Sequence, residues 1–230
     1  MTSKEILVKP NMTSYNRDAI LLLLRTANES CSYRFGRQTA LTWLAAFPGD
    51  LEVNVWYARM LVMEDHTNHA VPVIEKVLSI DPEYLFAAQT ADEIFSKLGD
   101  EKSRLYRGLV QALGGAPSSA NGLPGWAPKL FLAKNALSNK DLEHAAALIY
   151  SVLGEPDNLA LAGVYHLRLT ELQGDSLTTL NLARIYHDRW PACEQIGLTF
   201  AQELMKSGQE EEAVYLLHQC AASDSTGQVP

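Results

Sequence analysis

Positive charge is in short supply in this chain: 19 Lys and Arg stand against 27 Asp and Glu, for a formal charge of −8. Holding a phosphate backbone requires concentrated cations, so nucleic acid is not an expected partner. Long apolar runs are missing as well. The longest, Ala19 to Leu24, is far too short to span a bilayer, and the first residues, MTSKEILVKPNMTSYN, hold no segment of signal-peptide length. Asn11-Met12-Thr13 and Asn28-Glu29-Ser30 match the glycosylation pattern, but without a secretory signal they are chance matches. Cysteine is scarce and odd in number: Cys31, Cys193 and Cys220 have neither metal nor redox spacing. They read as reduced thiols, and the expected location is the cytoplasm.

Catalytic signatures are equally absent. No GxSxG elbow organises the serines, and Gly114-Gly115 is not followed by the lysine of a phosphate loop. His66 and His69, beside Glu64 and Asp65, have metal-like spacing. They lack a third ligand and read as solvated turn histidines. His144, His166, His187 and His218 are scattered through helical stretches. The chain is expected to be no enzyme, with no cofactor and no metal.

What the sequence does contain is helical periodicity. In LEVNVWYARMLVME the apolar residues Val53, Trp56, Tyr57, Met60, Leu61 and Met63 recur at helical spacing. A polar turn, Asp65-His66-Thr67-Asn68, leads to a second periodic run with Ala70, Val73, Ile74, Val77, Leu78 and Ile80. Asp81-Pro82 stops it, because proline lacks an N–H and pushes its predecessor out of helical dihedrals. With Leu51 as position 1, Ala58 falls at position 8, Ala70 at 20 and Pro82 at 32. The hairpin resembles the tetratricopeptide repeat, whose pattern places small residues at 8 and 20 and proline at 32. Small side chains there let two antiparallel helices approach closely.

A single hairpin cannot bury its own faces, so the resemblance requires neighbours. Units starting at 17, 51 and 85 and at 126, 160 and 194 form two runs with a period of 34. The seven extra residues between the runs coincide with the Gly/Pro/Ser stretch 114–125. Ala133 and Ala145, and Ala201 and Ala213, repeat the small pair; Gly99-Asp100 and Gly174-Asp175 fall at the inter-helix turn. The first unit has Leu24 and Gly36 at the pair, and the fifth Leu167 and Thr179. The third fits least, with Asp92 and Arg104.

The expected fold is therefore all-α. By the resemblance it is a right-handed superhelical solenoid of about six antiparallel helix pairs. Residues 1–14 read as a loose arm, 15–113 as three hairpins, 114–125 as an exposed, mobile loop, 126–222 as three more hairpins, and 223–230 as a polar tail. Helix pairs are expected at about 15–30 with 34–46, 51–64 with 68–80, and 84–98 with 101–113. The later three are 126–139 with 141–153, 157–173 with 175–189, and 191–207 with 209–222. Asp100 and Asp175 read as N-caps. The last helix places Leu216, Leu217 and Cys220 with no successor. A homodimer through residues 209–222, or continuation into a longer protein, would cover them.

In the family, positions 2, 5, 9 and 12 of each first helix line the concave surface. Position 9 reads Arg25, Arg59, Glu93, Lys134, Arg168 and Gln202, with basic residues well above their share of the chain. Position 5 includes Val55, Leu130, Val164 and Leu198. An aliphatic floor with spaced cations suits an acidic or amphipathic peptide or helix. The plainer alternative is that long basic stems merely cover apolar surface between helices. The Lys-at-5, Asn-at-9 pairing with which some members grip a partner's C-terminal carboxylate occurs in no unit. The expected function is a non-catalytic protein–protein interaction scaffold; the alternative is a regulatory or sensor arm of a larger transcriptional regulator or signalling enzyme.

Overall fold

The computed structural model describes residues 16–119, 121–155 and 159–225; the expected arm 1–14 and the end of the expected tail lie outside these. The first helices of the six pairs are α1 (Arg17–Glu29), α3 (Leu51–Met63), α5 (Leu85–Leu98), α7 (Trp126–Ser138), α9 (Ala160–Gln173) and α11 (Glu194–Lys206). Their partners are α2 (Tyr33–Leu44), α4 (Thr67–Ile80), α6 (Ser103–Ala112), α8 (Leu142–Leu153), α10 (Ser176–Arg189) and α12 (Glu210–Ser225). The six first helices begin at the six unit starts read from the sequence. No helix among the described residues is long and apolar enough to cross a membrane.

One backbone turn closes every pair. Cys31, Asp65, Gly99, Lys140, Gly174 and Gly208 all have left-handed φ, between 56° and 79°, and each is the fifteenth residue of its unit. The N–H of the next residue then reaches the carbonyl five residues back: Ser32 to Ala27, His66 to Leu61, Asp100 to Phe95, Asp141 to Ala136, Asp175 to Thr170 and Gln209 to Leu204, at 2.8–3.2 Å. This closure satisfies carbonyls that a helix end leaves orphaned. Glycine is the favoured residue at such a φ, yet three units use a side-chain-bearing residue. The repeat is therefore more regular in its backbone than in its sequence.

Side-chain caps then start two of the second helices, α8 and α10. Asp141 accepts from the His144 N–H and Asp175 from the Thr178 N–H, as the sequence leads one to expect for Asp175. Asp100 behaves differently: its carboxylate accepts from the Lys102 N–H at 2.8 Å, and α6 starts only at Ser103. Arg104, at the expected close crossing, is consequently exposed. Residues 191–193 also lie outside a helix, so α11 is shorter than expected.

Packing follows the same rhythm. Ala58 and Ala70, Ala133 and Ala145, and Ala201 and Ala213 are all buried. In the first pair the bulkier Leu24 is matched by Gly36, where a Cβ would lie 2.9 Å from Met60 Sδ and 3.0 Å from Ala27 Cβ. Leu167 and Thr179 are buried in the fifth pair. α3 is buried on two sides, with Val53, Trp56 and Met60 in one core with α1 and α2. Its Val55, Ala58, Leu61 and Val62 join the core that runs on to α12. Helix packing connects elements one or two places apart in the chain, as in a linear array.

The third pair forms despite Asp92. This buried carboxylate accepts from the Ser118 N–H at 2.7 Å and the Ser118 hydroxyl at 2.8 Å. It accepts from Ser96 Oγ at 3.1 Å as well. It is thus the anchor of the 114–125 loop. Arg107 Nη1 holds the loop a second time, on the Asn121 carbonyl at 3.2 Å. Pro124 is buried on Gly108, where a Cβ would lie only 2.4 Å from Pro124 Cγ. The expectation of a wholly surface loop is corrected here: part of it is core.

Leu216 is buried in the same core as Phe200 and Leu204, and Leu217 is half-buried against it. Among the described side chains of α12, the exposed large apolar ones are Val214 and Tyr215 instead.

Candidate functional site

The candidate groove residues come from first helices, where the turn and the crossing fix each helix's rotation. Positions 5, 9 and 12 are successive turns on one helical stripe. Between α9 and α11 this stripe opens into a cleft of about 240 Å³. Val164, Arg168 and Glu171 line it from α9, and Leu198, Thr199 and Gln202 from α11. Leu198 is 42% exposed and Met205, two turns further along α11, 56%.

The remaining position-5 residues differ. Val55 and Leu130 are completely buried, and Val164 nearly so. They belong to the continuous core, so the expected aliphatic floor is open chiefly at Leu198.

The cations are already engaged within the chain. Arg25 Nη2 lies 3.4 Å from Glu52, and Arg59 Nη1 3.4 Å from Glu93. The Arg59 guanidinium also sits over the Trp56 and Phe86 rings, at 5.9 and 5.6 Å. Arg168 makes a two-point contact with Glu83, at 3.3 and 2.8 Å. Burial pushes the Glu83 carboxyl up, but hydrogen bonding from Arg168 and the charges of Arg168 and Lys134 outweigh it and hold the acid below its usual range. Lys134 is half-buried and acts on the same carboxylate. Three of the four basic residues are therefore paired with a carboxylate of the same chain: Arg25 and Arg59 with one from the next unit, and Arg168 with the distant Glu83.

The cleft's own carboxylate behaves oppositely. Burial, then repulsion from Glu203, pushes the Glu171 carboxyl up. Glu203 is buried and bonded to Lys206 Nζ. Sequence reasoning missed Glu171, Thr199 and Gln195 as lining residues, although positions 12 and 2 of the repeat point to two of them. It also missed Asp81, which read only as part of the Asp81-Pro82 helix stop, and Glu83.

Elsewhere, His66 and His69 are exposed, their rings 6.0 Å apart. Among the described residues no three His, Cys, Asp or Glu gather in a way that could hold a metal ion. Cys31 is an exposed free thiol and Cys193 a buried one, pushed up to about 11 by burial. The Cys220 side chain lies outside those described. His166 Nδ1 and the Tyr186 hydroxyl are 2.7 Å apart inside the fifth pair, a buried polar contact that fixes α9 against α10. Comparison of the chain with protein-family models and with curated proteins found no match.

Proposed function

We propose that the chain is a tetratricopeptide-like, right-handed solenoid that acts as a non-catalytic interaction scaffold, with the α9–α11 cleft as its binding groove. The observation that carries the reading is the cleft itself. Residues at the concave-face positions of two successive units converge there, and exposed Leu198 stands among Arg168, Glu171, Thr199 and Gln202. An apolar anchor ringed by hydrogen-bonding groups fits one segment of an amphipathic helix or extended peptide. The ligand contributes an apolar side chain for Leu198 and Met205 and polar groups for Gln202 and Thr199. Because the chain's own carboxylates already meet its cations, the preferred ligand is amphipathic rather than strongly acidic.

Site-specific photo-crosslinking tests this. A crosslinking residue at Leu198 or Gln202 should capture a discrete partner from the native host, and one at exposed Tyr150 on α8 should not. Leu198→Asp should abolish capture at position 202 without changing helicity. Capture that is equal at all three positions, or indifferent to Leu198→Asp, refutes the cleft as the binding surface.

A further inference from the structure

The ion pairs of this chain have a characteristic reach. Among the described residues all but one connect residues no further apart than about one repeat, as Arg17 and Glu52 do across 35 positions. The exception is Arg168–Glu83, which spans 85 positions and joins α9 to the turn between α4 and α5. A second long-range bond runs beside it: Gln195 Nε2, at the start of α11, donates to Asp81 Oδ1 at 3.4 Å across 114 positions. Both acceptors sit in one short turn, Asp81-Pro82-Glu83, and both donors sit on consecutive first helices of the second half.

Polar side chains make this crossing, whereas the extensive helix packing stays between elements one or two apart. Repeat arrays flex because each unit is held mainly by its neighbours, so a bond that skips units fixes the curvature of the whole stretch between. The Arg168 side chain is still 40% exposed and also lines the α9–α11 cleft. Proline between the two carboxylates fixes φ and keeps the turn's shape.

We propose that the Asp81-Pro82-Glu83 turn and the Arg168–Gln195 pair form a releasable clasp. Closed, it ties the second repeat to the fifth and sixth and sets how tightly the array curls; open, it lets the two halves swing apart. The clasp stands independently of the scaffold reading, since it needs no partner. Its consequence for that reading is that a ligand carboxylate reaching Arg168 displaces Glu83 and couples binding to opening.

Distance measurement between two spin labels tests it. Ser79 and Glu194 are exposed and flank the clasp on its two sides. Both are replaced by labelled cysteine in a chain whose Cys31 and Cys220 are serine, the buried Cys193 being left in place. The closed protein should give one narrow, short distance mode. Glu83→Gln and Arg168→Met should each add a longer mode, with unchanged helicity by circular dichroism. The charge-reversed pair, Glu83→Arg with Arg168→Glu, should restore the short mode, which a merely destabilised array would not do. Distributions that overlay the parent's in both single variants overturn the clasp. So does a longer mode that the reversed pair fails to shorten.

Discussion

Lys140→Gly should stabilise the protein. Lys140 holds φ 59° at the turn between α7 and α8, the place taken by Gly99, Gly174 and Gly208 in three other units. An L-residue costs about 1–2 kcal/mol in the left-handed region. Glycine removes that cost but gives back roughly 0.4–1 kcal/mol through the greater freedom of the unfolded chain. The net expectation is a gain of about 0.5–1 kcal/mol. The Lys140 side chain is exposed, so little packing is lost. In a chain of this size that gain raises the midpoint of thermal unfolding by roughly 1–4 °C. Scanning calorimetry and urea titration should agree, with an unchanged denaturant slope. Lys140→Ala keeps the Cβ and should leave stability close to the parent's, so the pair of variants isolates backbone conformation from the lost charge. Asp65→Gly should gain less, because Asp tolerates this conformation better and the change forfeits the 2.9 Å pair with Lys97. A glycine variant no more stable than the alanine one would refute the claim that the left-handed turn is under strain.

Asp92→Ala should cost about 1–3 kcal/mol, since it strands the Ser118 N–H and hydroxyl; limited proteolysis should then cut within residues 114–125 faster than in the parent. Gly108→Ala should destabilise despite the roughly 1 kcal/mol that helix propensity returns, because the new Cβ falls 2.4 Å from Pro124 Cγ and overpacking costs about 1–3 kcal/mol. A rise in urea midpoint would refute it. At Asp50 burial raises the carboxyl, but hydrogen bonds from Arg17, Trp43 and the Val53 N–H outweigh it and lower the group overall. The folded state thus binds this proton less readily than the unfolded chain. The resulting stabilisation is present above the ordinary carboxylate range, about pH 4, and is lost as pH falls below it. Urea midpoints measured from neutral to acid pH should therefore fall less steeply in Arg17→Met than in the parent.

The helix pairs were legible because their signals are local. Apolar periodicity, the Asp81-Pro82 stop and the 34-residue spacing place six hairpins without any knowledge of contacts. The turn register was legible from glycine in only half the units, because a left-handed turn can be imposed by the two helices it joins: Cys31 and Lys140 adopt it with no residue preference to announce it, and Asp65 with only a weak one. Asp92 was the misfit in sequence for the opposite reason. It obeys a demand from outside its own pair, namely the backbone of an inserted loop, and no rule internal to the repeat encodes that.

The groove shows where this kind of reading stops. Repeat position says which residues share a stripe, and the α9–α11 cleft does gather positions 5, 9 and 12 of one unit with 2, 5 and 9 of the next. It says nothing about what lies opposite. Val55 and Leu130 look like an accessible floor in the pattern, but both are completely buried in the core. The basic residues look like a ligand-binding row until Glu52, Glu93 and Glu83 are placed beside them. Two of those carboxylates belong to the neighbouring unit and could be anticipated from the period. Glu83 does not: it reaches Arg168 across 85 positions, and only the stacking of the units between them brings them together. Such geometry accumulates from small rotations at each packed interface, and those rotations depend on side-chain sizes such as Gly108 against Pro124 and Trp126. A contact between distant units is thus a property of the whole array, and it is the one most sensitive to any change in how the units stack.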